Sequence, residues 1–304
     1  MNQVYNYIGC SKQSFHQKLN RQLRQKEREL LLLPLISELR QEHPGIAARE
    51  LYLILKPQGI GRDKFEALCF KNGYKLAKNK SFTRTTDSNG VVRFPNLVAE
   101  REVTCINQVW SSDITYYQIG DKFFYLTFII DQFSRMIVGF SVSKTLLTEQ
   151  TTLSALTMAL QNRKPPTGLI FHSDGGGQYY CKAFLKITEK EKIKNSMCEM
   201  AYENPYAERI NGTIKNQYLK GYDPKDFSSL KKMTARAVHN YNYVKPHSSL
   251  NKLSPVNFEK LRPAGGSSPR IDTFCASINS DQLNQKNYQS EVRSKQVKKT
   301  VNVF

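Results

Sequence analysis

The sequence predicts an α/β protein with a helical N-terminal region, and three observations support this prediction. Up to about residue 80 the apolar residues follow helical spacing, interrupted at Pro44-Gly45 and at Asn72-Gly73. From Val103 onward, short apolar runs separated by turn residues predict strands. After residue 148, further strands alternate with helices. Together these patterns predict a mixed five-stranded sheet flanked by helices.

The N-terminal region is predicted to hold three short helices with basic surfaces. They begin after Ser11, near Leu51 and at Arg62. Short helices joined by glycine-containing turns favour a helix-turn-helix-like DNA-binding region over residues 1–80. A helical bundle that only packs on the core is the alternative interpretation.

The middle of the chain predicts the order strand, strand, strand, helix, strand, helix, strand, helix. The strands are predicted over 108–117, 123–130, 136–142, 169–172 and 194–198, and the helices over 148–160, 180–191, from Pro205 with Asn204 as its cap, and 228–242. Tight turns between the first three strands favour an antiparallel meander. The fourth strand is apolar throughout, which is typical of a strand inside a sheet. This order is that of a ribonuclease-H-like domain.

The predicted domain organisation has four parts. It comprises the helical region 1–80, a basic linker 81–103, a core with C-terminal helices 104–262, and a basic, loosely ordered tail 263–304. A Gly- and Ser-rich stretch after Pro263 predicts the joint before the tail.

Positive charge is concentrated in the flanks. The chain has a formal net charge of +19, of which residues 1–100 and 221–304 each contribute +8 and residues 101–220 only +3. Excess Lys and Arg around a nearly balanced centre is the electrostatic footprint of phosphate binding.

Other classes of protein fit the composition poorly. The 6 cysteines are scattered without a C-x-x-C, so neither disulfides nor a zinc site is expected. No apolar run approaches the ~20 residues of a membrane span, and the N-terminus lacks the pattern of a signal peptide. We therefore expect a cytoplasmic, nucleoid-associated protein without membrane contact.

Three acidic residues stand in distinctive local sequences. Asp113 lies within a predicted strand, Asp174 follows one, and Glu208 lies in the first turn of a predicted helix. In a basic chain, such carboxylates predict a site that binds divalent cations against a polyanion. Taken singly, the aspartates fit turn residues and Glu208 a favourable helix-dipole position. Asp131 also ends a strand and competes for the metal role.

Residues around this acidic set are candidates for DNA contacts. Gly175-Gly176-Gly177 lets backbone approach DNA closely, and Lys215 lies two helical turns beyond Glu208 on the same face. The predicted DNA contacts are Lys215, Asn211, Gly212, Arg209, Trp110, His172, Gln178, Lys245 and His247.

These motifs resemble the retroviral-integrase-type core of bacterial insertion-sequence transposases of the OrfB type. That pattern includes W-x-x-D-I-T-Y, Y-L-x-x-I-x-D-x-x-S-R-x-I-V-G, H-S-D-x-G-x-Q-Y and E-N-x-x-A-E-R-x-N-G-x-x-K. The matching blocks start at Trp110, Tyr125, His172 and Glu203, and a later Y-N-x-x-x-P-H-x-x-L block starts at Tyr241. The resemblance extends over roughly residues 30–260 and includes linker-like segments at 85–89 and 94–97.

The resemblance implies a ribonuclease-H-like fold and a D-D-E triad made of Asp113, Asp174 and Glu208. It implies cleavage of DNA strands that depends on two Mg²⁺ ions, with Mn²⁺ as a substitute, and transfer of element ends into target DNA. The implied partners are double-stranded DNA carrying terminal inverted repeats, target DNA, further copies of the chain and an upstream OrfA-type protein. A nuclease without strand transfer and a DNA-binding regulator of transposition are the alternative functions.

Three features depart from the family pattern. Gly175 stands where an Arg is common, and Gln217 stands where a Glu often follows the helix Lys. The 34-residue interval from Asp174 to Glu208 is slightly shorter than usual. None of these departures removes a predicted metal ligand.

Overall fold

The computed structural model describes residues 7, 9–77, 94–198 and 203–261. Residues 81–93 of the predicted linker 81–103, and the whole of the predicted tail 263–304, lie outside the described residues. The predicted domain boundaries therefore stay predictions.

The described part of the N-terminal region contains three helices, as predicted, and the first is longer than predicted. They are α1 (Lys12–Glu42), α2 (Ala48–Leu55) and α3 (Arg62–Lys71). The Ser11 side chain accepts a 3.1 Å hydrogen bond from the Ser14 backbone and so caps α1, which continues through Pro34. The buried apolar residues shared by the three helices are Ile36, Leu39, Ile46, Ala48, Leu51, Phe65, Leu68 and Cys69. Residues 11–28 of α1 are exposed.

The remaining elements follow the predicted order closely. They are β1 (Val109–Ile119), β2 (Lys122–Asp131), β3 (Ile137–Ser143), α4 (Thr152–Asn162), β4 (Ile170–Ser173), α5 (Lys182–Lys190), β5 (Lys194–Met197), α6 (Pro205–Thr213), α7 (Phe227–Tyr243) and α8 (Pro255–Lys260). A π-helical segment (Ile214–Leu219) and one α-helical turn (Lys220–Tyr222) continue α6 directly. The largest shift from the predicted bounds is at α4, which begins four residues late.

The five strands form one mixed sheet in the order β3-β2-β1-β4-β5. The first three strands pair antiparallel, which confirms the predicted meander. β4 pairs parallel to both β1 and β5 and is buried throughout, as its apolar sequence predicted. This is the mixed five-stranded arrangement of a ribonuclease-H-like core.

The two faces of the sheet carry separate hydrophobic clusters because side chains alternate along each strand. Leu126 and Phe128 of β2 point toward α6, its π-helical extension and α7. Ile129, which follows Phe128 and points to the opposite face, packs toward α4 and α5 instead. One helical layer therefore covers each face, and α6 belongs to the layer that also faces the odd-numbered residues of β1.

The chain segment that follows α1 joins the N-terminal region to the core. The Gly45 backbone N–H donates to the carbonyl of Gln217 at 2.8 Å, inside the π-helical segment. His43 Nδ1 and the Tyr218 hydroxyl share a hydrogen bond of 3.2 Å. Glu42 accepts two hydrogen bonds from Arg236 of α7, which lowers the pKa of Glu42 to about 2. The N-terminal helices are thus fixed to the extension of α6.

The close contact between β3 and α4 predicts a destabilising substitution. A Cβ added at Gly139 would lie 2.3 Å from the carbonyl oxygen of Ala155, so Gly139→Ala should lower the free energy of unfolding by about 1–3 kcal/mol. Chemical denaturation measures this change. Gly212→Ala is the matched control, since its Cβ would meet only Asn216 Nδ2 at 3.9 Å and alanine favours helix by about 1 kcal/mol. Equal effects of the two substitutions would contradict the close packing.

Candidate active site

The two aspartates lie side by side on neighbouring parallel strands, Asp113 within β1 and Asp174 just after the end of β4. Ser112 of β1 is in register with Ser173 of β4, and Asp113 and Asp174 each follow directly in the sequence. Neighbouring strands run about 4.8 Å apart, so this register brings the two carboxylates to one edge. The sequence placed Asp113 within a strand and Asp174 just after one, and both placements are confirmed.

Three side chains, from Asn204 just before α6 to Lys215 in its π-helical extension, donate hydrogen bonds to β1. Asn204 Nδ2 donates to the Ser112 carbonyl at 2.9 Å, Asn211 Nδ2 to Asp113 Oδ2 at 2.8 Å, and Lys215 Nζ to Thr115 Oγ1 at 3.1 Å. Residues seven and eleven positions beyond Asn204 fall on one helical face. Glu208 lies on the same face, between Asn204 and Asn211, and is exposed.

Burial and like charge raise the pKa values of the aspartates. The pKa of Asp113 rises to about 7, mainly because its carboxyl group is withdrawn from water, with the charges of Asp174 and Glu208 adding to the effect. Asp174 is an exposed residue, yet partial desolvation of its carboxyl group raises its pKa, against a 3.1 Å hydrogen bond from the Gly176 N–H. Burial and the charge of Asp174 raise the pKa of the Cys198 thiol to about 12. The two aspartates therefore form an acidic site at this edge of the sheet.

Among the residues that the structure describes, no group of three or more His, Cys, Asp or Glu could hold a metal ion by itself. The acidic residues interact electrostatically but do not form a closed cage.

Lys215 is a basic residue beside this acidic edge. Its ammonium lies over the ring of Tyr116, 5.0 Å from the ring centre, as well as against Thr115. Burial lowers the pKa of Lys215, while the charge of Asp113 acts in the opposite direction. The predicted position of Lys215 on the face of Glu208 is confirmed, and its contact with DNA stays a prediction.

Asp131, the competing carboxylate, is occupied by backbone donors. Oδ1 accepts from the N–H groups of Phe133 and Ser134 at 2.9 and 3.0 Å, and Oδ2 accepts from that of Asn107 at 2.6 Å. The residue is fully buried. Asp131 therefore shapes the turn after β2, and its interpretation as a metal ligand is wrong.

Several predicted DNA contacts are buried and are wrong for that reason. Trp110 is 0% exposed, packs in the cluster toward α4 and α5, and donates its indole N–H to Asn107. His172 is also 0% exposed, with Nδ1 bound to the Ser196 hydroxyl and Nε2 to the Glu203 carbonyl.

Two further predicted contacts, Lys245 and Asn211, are also corrected. Lys245 is buried in an ion pair with Glu50 of α2, so it fixes the N-terminal region to the core. His247 is partly exposed, packs edge-on against Tyr241 and has a pKa lowered to about 3 by burial, and its contact with DNA stays a prediction. Asn211 is buried and gives its amide to Asp113.

Three more of the predicted DNA-contact residues are at least partly exposed to solvent. Arg209 is exposed, and Gly212 and Gln178 are partly exposed, so their contact with DNA stays a prediction.

Sequence reasoning missed the role of Asn204, which was expected to cap α6. Its side chain makes no cap hydrogen bond and binds the Ser112 carbonyl instead. Only the spacing of Asn204 from Asn211 and Lys215 could have indicated a shared face.

Gly175 adopts a conformation that a side chain would disturb. Its φ is +75°, in the left-handed region, and an added Cβ would lie 2.0 Å from Met197 Cε of β5. A side chain at position 175 would therefore need both a left-handed backbone and a shift of the end of Met197.

Comparison with known proteins agrees with this architecture. A family described as an integrase core domain matches residues 103–202, and a second integrase core domain family matches residues 189–255. The solved trimeric form of the HTLV-2 integrase catalytic core domain, in complex with magnesium, is 22% identical, with a TM-score of 0.42 over 50% of this chain and 95% of that one.

The chain is also similar to proteins of bacterial insertion sequences. The insertion element IS600 uncharacterized 31 kDa protein of Shigella sonnei is 32% identical over 219 residues, which are 70% of this chain and 80% of that protein. The putative transposase for insertion sequence element IS986/IS6110 of Mycobacterium tuberculosis is 28% identical over 273 residues, 83% and 98% of the two chains. The chain therefore belongs to the insertion-sequence transposases that carry an integrase core domain.

Proposed function

We propose that this chain cuts DNA strands at the ends of an insertion sequence and joins them to target DNA, with Asp113, Asp174 and Glu208 as the metal-binding carboxylates. The observation that carries the proposal is the register of β1 with β4, which sets both aspartates at one edge opposite the Glu208 face of α6. The electrostatic interaction of all three carboxylates supports it.

The donor set fits magnesium, with Mn²⁺ as a substitute. Mg²⁺ prefers hard oxygen ligands and is usually bound by one or two carboxylates, substrate phosphates and water. We propose that a DNA phosphate supplies further oxygen ligands beside the three carboxylates. When bound, two such ions activate the attacking oxygen and stabilise the leaving oxygen.

The protein residues then have separate tasks. Asn211 holds one oxygen of Asp113, and the Gly176 N–H holds one oxygen of Asp174, so both carboxylates are oriented. Lys215 offers its ammonium to a phosphate next to the site. The attacking group is water for cleavage or a DNA 3′-hydroxyl for transfer, and direct attack needs no covalent protein–DNA intermediate.

The proposed partners follow from charge and from the relatives. A net charge of +19 supports binding of two DNA segments, the terminal inverted repeats and the target. We extend the proposal to action as a homo-oligomer, to an upstream OrfA-type protein that supplies end recognition, and to the nucleoid as location. No helix in the described part of the chain is long and apolar enough to cross a membrane.

The charge of Asp113 should make stability depend on pH. Its pKa is about 7 in the folded protein against an ordinary 3.8, so between these values the folded state retains a proton that the unfolded chain has released. Stability from this group is therefore lost as the pH rises through that window. Asp113→Asn should raise the free energy of unfolding by about 1–3 kcal/mol at pH 8 and change it little at pH 3.5.

Thermal denaturation with and without millimolar MgCl₂ at pH 8 measures both effects. Magnesium should stabilise the wild-type protein more than Asp113→Asn, because it binds the folded state. Asp121→Asn, in the exposed turn between β1 and β2, is the control and should show neither effect. Stabilisation of the wild type and Asp113→Asn by equal amounts would count against a cation site at Asp113.

Removing one carboxylate should abolish cleavage without loss of DNA binding. Asp113→Asn, Asp174→Asn and Glu208→Gln should each lower metal-dependent nicking by more than about 100-fold, beyond the loss typical of outer-shell changes. The assay uses labelled DNA with the inverted repeats that flank the gene, with and without Mg²⁺, and scores strand transfer separately. Glu189→Gln, exposed on α5, is the control.

The outcomes of that assay separate the candidate functions. Nicking that survives Glu208→Gln would refute the assigned triad. Nicking without strand transfer would favour a nuclease. Binding without nicking, unchanged on addition of the upstream protein, would identify a regulator.

Lys215→Ala should weaken DNA binding by removing one phosphate contact. The slope of log K against log salt concentration should fall by about 1, because one fewer counterion is released. Titrations at several salt concentrations give the slope, and Lys190→Ala on the exposed end of α5 serves as control. An unchanged slope for Lys215→Ala would exclude the contact.

A further inference from the structure

Two aromatic side chains are exposed at the end of the β1–β2 hairpin. Tyr116 is 55% exposed and Phe123 is 49% exposed. Their rings meet edge to face, with centroids 5.6 Å apart. The edge-to-face contact holds the Tyr116 ring in place and leaves much of its surface open to solvent.

The Tyr116 ring adjoins the acidic edge of the sheet. β4 pairs with β1 only as far as Ser112, so from Asp113 onward β1 pairs with β2 alone and its other edge is open. Tyr116 lies three residues beyond Asp113, or about 10 Å along the strand. One strand of DNA advances about 3.4 Å per nucleotide, so a strand whose phosphate lies at Asp113 reaches Tyr116 within about three nucleotides.

A cation lies beside the same ring. Lys215 Nζ is 5.0 Å from the centre of the Tyr116 ring and hydrogen-bonds Thr115. An aromatic face next to an ammonium group matches a nucleotide, whose base stacks on the ring while its phosphate contacts the cation. This charge complementarity favours nucleic acid over an apolar protein surface as the occupant.

We propose that Tyr116, supported by Phe123, is a stacking platform for an unpaired base of the DNA strand being cut, within about three nucleotides of the scissile phosphate. The inference rests on the proposed cleavage at Asp113, Asp174 and Glu208. The platform holds the strand in its distorted form after local unpairing, and Lys215 binds a phosphate between the platform and the carboxylates. A base that is already unpaired needs no energy for unstacking, so mismatched DNA is the better ligand.

Binding to two forms of the same DNA tests the platform. The probes are the terminal inverted repeat either fully paired or with two mismatched pairs beside the cleavage point, in buffer without divalent metal. The full chain should bind the mismatched form more tightly, and Tyr116→Ala should remove about tenfold of affinity for it while affecting paired DNA less. Tyr116→Phe should retain the preference because stacking needs the ring and not the hydroxyl group.

Photo-cross-linking identifies the contact directly. Single 5-iododeoxyuridines placed at successive positions around the cleavage point should cross-link to Tyr116 at one position within about three nucleotides of the cut. Tyr116→Leu keeps apolar bulk at the hairpin without a ring, and it should lose the cross-link even if the alanine variant is unstable. Tyr243→Ala is the control, since that exposed ring stacks on His239 of its own helix.

The outcomes are distinct for the two proposals. A mismatch preference and cross-link that survive Tyr116→Leu would overturn the platform, as would a variant that changes only the oligomeric state in size-exclusion chromatography. The cross-link should persist in Glu208→Gln, in which cleavage is expected to be lost. Cleavage that survives Glu208→Gln would instead refute the triad, whatever happens at Tyr116.

Discussion

The parallel pairing of β1 with β4 is the constraint on which the site depends. Because Ser112 and Ser173 are in register, the chain cannot avoid placing the carboxyl groups of Asp113 and Asp174 at one edge of the sheet. Two hydrogen-bond donors lie at this edge: the Asn211 amide donates to Asp113, and the Gly176 N–H donates to Asp174. These hydrogen bonds orient the carboxylates but do not neutralise them. The raised pKa of Asp113 reflects the free-energy cost of its charged form, which is buried and lies near other carboxylates. An arrangement of this kind is useful to a protein that receives cations together with a polyanionic substrate.

The helix opposite this edge links the acidic site to the N-terminal region. α6 continues into a π-helical segment, and π-bulges interrupt helices frequently at functional sites. The Gln217 carbonyl in that segment accepts the Gly45 N–H, and a Cβ at Gly45 would lie 2.5 Å from Gln217 Cα. The two backbones therefore touch, and a side chain at position 45 would separate them. The N-terminal region therefore packs directly on the helical segment that carries Lys215.

The sequence predicted the elements well because periodicity and turn residues are local signals. It predicted the positions of Asp113, Asp174 and Lys215 because strand ends and helical faces follow from those elements. It failed for Trp110 and His172, whose motif positions suggested DNA while their side chains point into the core. It also failed for Lys245, because its pairing with Glu50 joins residues 195 positions apart that no local pattern relates. The exposed rings of Tyr116 and Phe123 were missed for the same reason, since burial of aromatic residues is the ordinary expectation and only the packed structure shows the exception.

Two of the three departures from the family pattern, Gly175 and Gln217, can be compared with their packing. At position 175 the positive φ favours glycine, and a side chain there would also require the flexible end of Met197 to move. At position 217 the side-chain Oε1 is buried and has no hydrogen-bond partner among the described residues. A carboxylate at position 217 would place a charge where the amide oxygen already lacks a partner, and burying a charge costs more than burying an amide. Neither departure removes an oxygen ligand from the proposed triad.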